Sequence, residues 1–238
     1  MTVAVVREAS GPGDGTAAGG GEVDGGGGEG QVLAEMRLQQ DRGQASAMPR
    51  LVADCLERAQ AQEAALSGHQ FDKPLVRRLA QVIVMVGPGS FTGIRVGLSL
   101  AKGLVAGLPG AQLVGITQQD YWASWASDQG LEGDQVLVCV DTKRRDYFCC
   151  AADDRGEWSV RAELAASDVL PQPAWLVGDG AQDIPCAFPV SRNVEGVSPA
   201  LFVQTARHMA RRGQPTRTQP LYVREAAIHR NPKSQQAV

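Results

Sequence analysis

Apolar residues fall into two kinds of run along this chain. Val3–Val6 is a short apolar stretch, and Gln31–Leu38 (QVLAEMRL) alternates apolar with polar, so the two read as an outgoing and a returning strand. Met48, Leu51, Val52, Cys55, Leu56 and Ala59 recur at helical spacing, which predicts a helix over Ser46–Gln60 with Ser46 as its cap and Pro49 in its first turn. Gln81–Val86 (QVIVMV) is a continuous β-branched run, the pattern of a parallel strand buried on both faces. A glycine turn and a long helix, Phe91–Leu108, follow it, and Gln112–Ile116 is the next strand.

The second half repeats the pattern. Gln135–Asp141 and Asp146–Ala152 read as strands around the turn Thr142–Arg145, with further strands at Trp158–Ala162 and Ala174–Val177. A turn at Gly178–Gly180 precedes a helix that opens on Ser198-Pro199 and ends at Gly213. Two halves, each with strands, a hairpin and a helix, predict a duplicated α/β architecture. We divide it at residues 1–118 and 119–238, with residues 10–30 a Gly-rich flexible loop too poor in apolar side chains to order itself.

Composition narrows this picture. With 43% hydrophobic and 21% charged residues the chain reads as a soluble globular protein, and a net charge of -3 argues against bulk polyanion binding. Charge is uneven, however. Arg207, Arg211, Arg212, Arg217, Arg224, Arg230 and Lys233 face one acid, Glu225, either as a solvated basic tail or as a nucleic-acid contact. The odd number of cysteines (Cys55, Cys139, Cys149, Cys150, Cys186), without a C-x-x-C pair or a signal peptide, points to free thiols in the cytoplasm. No apolar run is long enough to span a membrane.

The glycine turn is the main candidate for chemistry. A helix N-terminus after Gly87, Gly89, Ser90, Thr92 and Gly93 offers free N–H groups to a phosphate. Yet the Walker A, dinucleotide and nucleophile-elbow spacings all fail, so a tight structural turn is the other reading. On the helix, Arg95, Ser99, Lys102 and Ala106 share a polar face, and Gly93, Gly97 and Ala101 form a small-residue stripe opposite. His69, His208 and His229 have no metal-ligand spacing, and no catalytic or metal residue is assigned. Asp141, at a strand end, is placed either as a functional carboxylate or as a turn former.

Gly87-Pro-Gly-Ser-Phe-Thr-Gly-Ile-Arg-Val-Gly97, followed by Ala101-Lys-Gly-Leu104, resembles the signature of the TsaB (YeaZ) family of tRNA threonylcarbamoyladenosine biosynthesis. Cys139–Tyr147, Val177-Gly-Asp-Gly-Ala181 and Pro220-Leu-Tyr-Val-Arg224 are similar to further motifs of that family. The resemblance implies a two-lobed actin-like (ASKHA, ribonuclease-H-like) fold. It also implies a non-catalytic subunit that supports the catalytic subunit TsaD and works with the ATPase TsaE, reaching tRNA indirectly and forming a homodimer when alone. ATP and a metal are then expected in the partner subunits and no cofactor in this chain. Where the catalytic relative carries His-x-x-x-His, this sequence reads Thr117-Gln-Gln-Asp-Tyr-Trp-Ala123.

Two departures stand out. The family's opening strand ending Asp-Thr-Ser has no counterpart before Val3, so the first strand of the N-terminal lobe is expected to be missing, and Gln44-Ala-Ser-Ala47 stands where the family has His-Ser-Glu. The candidate partner interface comprises Leu51, Val52, Cys55, Arg95, Gly97, Ser99 and Lys102, on the first-lobe helices. The alternative reading is an ATP-dependent small-molecule kinase of the actin-like superfamily, with Asp141 and the Gly87–Gly93 turn holding Mg-nucleotide. A metalloprotease is disfavoured by the absent histidine pair.

Overall fold

Three separate ladders organise the chain. The computed structural model describes residues 2–7, 31–37, 44–68, 71–142, 146–152, 157–161, 173–186, 189–193 and 198–223. The Gly-rich stretch 10–30, the turn residues 143–145 and the basic residues from Arg224 onward lie outside them.

The first ladder is a hairpin of β1 (Thr2–Arg7) and β2 (Gln31–Arg37), with Val3 opposite Met36, Val5 opposite Ala34, and a bulge between Val5 and Val6. Its buried residues Val5 and Leu33 pack with Cys55 and Ala59 of α1 (Gln44–Ser67) and with Leu75. That helix starts two residues before Ser46 and runs seven beyond Gln60, so Pro49 falls inside it rather than in its first turn. The stripe Met48, Cys55 and Ala59 is fully buried, and this tertiary burial carries the helix past its proline.

The second ladder pairs β3 (Gln81–Gly87) in parallel with β4 (Gln112–Thr117), placing Ile83 opposite Val114. Val82–Met85 are half-buried and only Val86 and Gly87 are buried, which corrects the sequence expectation of burial on both faces. The reason lies in the pairing. Among the described residues β3 has a strand partner on one side only, and β1 likewise pairs only with β2. Helix α2 (Phe91–Ala106) returns from β3 across this sheet. Leu221 donates its N–H to the Val86 carbonyl at 2.7 Å, at the upper end of β3.

The third ladder is a five-stranded sheet in the order β7-β6-β5-β8-β9, with β5 (Val136–Asp141) at its centre. β6 (Tyr147–Ala151) and β7 (Ser159–Arg161) extend it antiparallel, and β8 (Trp175–Val177) and β9 (Ser191–Asn193) in parallel. The strand β9 has no sequence signal, since Ser-Arg-Asn is polar throughout.

Helices α3 (Gln118–Asp128) and α4 (Pro199–Arg211) join the sheets. One continuous core holds Val114 and Ile116 of β4, Tyr121 and Trp122 of α3, Val136, Val138 and Val140 of β5, and Leu201, Ala206 and Met209 of α4. Although α4 belongs to the second half of the sequence, it packs on β1, β2, β3 and β4. Gly213 stops it in the left-handed conformation, φ 65°, with the Gly213 and Gln214 N–H groups returning to the Ala210 and Met209 carbonyls.

Candidate functional site

The turn Gly87–Gly93 sits where β3 gives way to α2, and local chemistry builds it. Gly87 has φ 123°, a conformation that L side chains rarely adopt. A Cβ there would lie 2.8 Å from the Leu221 carbonyl oxygen, so backbone fills the space beside it. Ser90 caps α2 by accepting the Gly93 N–H at 3.3 Å. Gly89 and Gly93 are half-buried and Ser90 and Thr92 exposed. The side of the turn nearest Gly87 is therefore covered by the chain's own Leu221, whose carbonyl oxygen faces it.

That segment also completes an exposed cluster on the first turns of α2. The Arg95 guanidinium lies 3.7 Å above the Phe91 ring and 5.5 Å from that of Tyr222, and its Nε donates to the Tyr222 hydroxyl at 2.7 Å. The two rings pack at 5.3 Å. Phe91 is 40% exposed and Tyr222 44%, so this is solvent-facing aromatic surface with a cation held over the Phe91 ring. Arg95, Ser99, Lys102 and Ala106 are all exposed, the polar face that helical spacing predicts. Helix α2 contains no acidic residue, and neither Arg95 nor Lys102 forms an ion pair among the described residues.

Of the other candidate interface residues, Leu51 and Val52 are half-exposed on α1. Cys55 needs correction: it is wholly buried, its thiol directed at the Val3 and Ala34 carbonyls at 3.6 and 3.7 Å. Burial pushes its pKa up, with Arg58 opposing more weakly. Gly97 also faces inward, since a Cβ on it would stand 3.6 Å from Val84 Cγ2. The small-residue stripe is thus the seat of α2 on β3, and the outward glycine is Gly103, which nothing approaches within 4 Å.

In the second sheet, Asp141 is half-buried and its backbone N–H donates to Asp179 Oδ1 at 2.9 Å. The Thr142 hydroxyl bonds both the carbonyl and the carboxylate of Asp146. These carboxylates serve the hairpin and the Gly178–Gly180 turn, and no group of three metal-ligating side chains exists among the described residues. Cys139 and Cys149 stand opposite each other across β5 and β6, both fully buried. The hydrogen bond that the Cys139 thiol gives to Cys149, then burial, hold the Cys139 pKa well above the ordinary thiol range.

Sequence reasoning missed α3. Its signal was present as Thr117-x-x-Asp120, a capping box in which Thr117 accepts the Asp120 N–H at 3.0 Å while Asp120 accepts the Thr117 N–H at 2.8 Å. No helix among the described residues is long and apolar enough to cross a membrane.

The model of the family TsaD, tRNA N6-adenosine threonylcarbamoyltransferase, matches residues 45–187, more than half of the chain. Among solved structures, an uncharacterized protein from Pseudomonas aeruginosa with similarity to peptidase YeaZ superposes with a TM-score of 0.56 at 19% identity, over 82% of this chain and 91% of that one. YeaZ from Pseudomonas aeruginosa superposes with a TM-score of 0.51 at 20% identity, over 75% and 84%. No curated protein matches. The structures share the mixed α/β fold, which agrees with the actin-like architecture expected from the sequence.

Proposed function

Because this chain belongs to the tRNA N6-adenosine threonylcarbamoyltransferase (TsaD) family, we propose that it acts there as a non-catalytic partner subunit of a related catalytic chain. The outer face of α2 supports this reading. Phe91, Arg95, Ser99 and Lys102 form an exposed aromatic and cationic surface with no acid on its own helix, the composition of an interface centre awaiting carboxylates. The half-exposed Leu51 and Val52 of α1 extend the same proposed interface. The opening of α3 supports the absence of catalysis, since its first turn, Gln118-Gln-Asp120, offers no histidine and commits its one carboxylate to capping.

In this reading TsaD is the direct partner, TsaE joins through the assembled complex, and tRNA meets the complex rather than this subunit alone. ATP and a metal are then held by the partners. In their absence two copies of the chain pair as a homodimer.

Co-expression with the catalytic subunit tests the proposal. A stable complex should form on size-exclusion chromatography, and Lys102→Glu with Arg95→Glu should weaken it without changing the fold. A chain that stays separate from a folded catalytic subunit overturns the reading. So does turnover of ATP with a small-molecule acceptor by this chain alone, which would favour a kinase.

A further inference from the structure

The strand pairs β1–β2 and β3–β4 lie between the same two helical layers. On one side Val3 and Val5 of β1 pack with Cys55 and Ala59 of α1, and Val84 of β3 meets Gly97 of α2. Helices α1 and α2 contact each other, so this cover is continuous. On the other side Ile83 and Met85 of β3 join the core of α3 and α4, and α4 packs on all four strands. Yet among the described residues no ladder joins the two pairs: β1 is bonded only to β2, and β3 only to β4.

The character of the strands says which edges face this break. β2 carries Gln31, Glu35, Arg37 and an exposed Val32, the polar and charged make-up of an outer edge. β4 is buried from Val114 to Thr117, and the Arg217 carbonyl closes on Gly115. By contrast Val3–Val6 of β1 and Val82–Val86 of β3 hold no charged or polar side chain, and Val82–Met85 stay half-buried despite helices on both faces. Apolar strand edges with free backbone N–H and C=O groups are templates for a further strand. Only an extended chain offers donors and acceptors along both of its edges, ~4.8 Å from each neighbour. Residues 8–30, 38–43 and 224–238 contain no apolar run as long as Val82–Val86 to supply it. We propose that the groove between β1 and β3 takes up one extended apolar segment of another polypeptide, about the length of β1, bonded to both edges by β-strand addition. Its side chains alternate between the α1–α2 cover and α4. This surface is distinct from the outer face of α2, so its test stands apart from the subunit reading.

Fluorescence anisotropy of a labelled peptide, Lys-Lys-Val-Ile-Val-Ala-Val-Ile-Lys-Lys, titrated with the full chain tests it, against the same peptide N-methylated at each apolar residue. Saturable binding of the first is expected, with a loss of about tenfold or more for the second, which keeps every side chain and loses its donors. Hydrogen exchange of the complex should slow amides in both Val3–Val6 and Val82–Val86 and leave those of β7 and β9 as they were. Ala4→Asp, which sets a carboxylate at the groove, should weaken binding by a similar factor; if that variant does not fold, the methylated peptide still decides. Equal binding of the two peptides overturns the proposal, as does protection confined to β7 or β9. So does protection of Val82–Val86 that grows with protein concentration before peptide is added, which makes a second copy the occupant.

Discussion

Replacing Gly115 with alanine should detach the segment Gln214–Tyr222 from the sheet it covers. A Cβ on Gly115 would stand 1.8 Å from the Arg217 carbonyl oxygen and 2.8 Å from Val86 Cγ1. Van der Waals contact between heavy atoms needs roughly 3.5 Å, so the segment must retreat by more than about 1.5 Å. That movement breaks the 2.7 Å bond from Leu221 N–H to the Val86 carbonyl and pulls Tyr222 from Arg95. Overpacking costs about 1–3 kcal/mol and a lost hydrogen bond about 1 more, so about 2–4 kcal/mol is expected. For a chain of this length each kcal/mol moves Tm by roughly 2–4 °C, giving a fall of about 4–16 °C. Thermal denaturation measures this, and hydrogen exchange of the Leu221 amide reports whether the segment has left. Gly103→Ala is the matched control. The space around Gly103 is open and α2 continues through it, so alanine should stabilise by about 0.5–1 kcal/mol. A Gly115→Ala protein with the parental Tm and a protected Leu221 amide would falsify the close approach on which this reasoning rests.

Other outcomes follow from the same structure. Glu63 is 5% exposed and paired with Arg78, whose hydrogen bonds, outweighing burial, hold the Glu63 pKa below its ordinary value. A depressed carboxylate stabilises above its unfolded pKa, so this contribution should be full at neutral pH and fade as acid titrates through the lower folded value. Arg78→Ala should cost about 3 kcal/mol at pH 7, the lower end for breaking a buried pair because Arg78 is partly exposed, and markedly less in acid; denaturant melts at both pH values check it. Cys139, Cys149 and Cys150 are fully buried while Cys186 is half-buried, so alkylation of the native protein followed by mass spectrometry should label Cys186 first. If Cys139 reacts as fast as Cys186, the second sheet is looser than its packing implies. On α2, Lys102→Glu should leave stability within about 0.5 kcal/mol of the parent, as for a surface change, while lowering affinity for the catalytic subunit; calorimetry with purified partner shows whether the two effects separate.

Periodicity made most elements legible. The β-branched run at Gln81–Val86, the Ser198-Pro199 helix start and the alternation at Gln31–Arg37 each name their element through local physics, because side-chain spacing and capping act within a few residues. The exposed face Arg95, Ser99, Lys102 and Ala106 was legible for the same reason. β9 was not, because a polar three-residue strand forms only when β8 offers it a ladder. The length of α1 was not either, since its continuation through Pro49 depends on burial against β1 and β2. Nor could glycine content alone tell which glycine of α2 meets the protein. Gly97 faces Val84 and Gly103 faces solvent, although both are glycines on one helix.

What the sequence by itself determined, then, is the α/β element pattern, the cationic helix and the glycine turn, all of which depend on neighbours in the chain. Tertiary structure decided which chemistry meets which. It brought Tyr222 beside Arg95 and closed Gly87 and Gly115 with the backbone of a segment more than a hundred residues away. It also carried α4 from the second half of the chain onto the strands of the first. Those juxtapositions arise from burying the apolar faces of separate elements against one another, and a one-dimensional pattern of spacings carries no record of the partner each face will find.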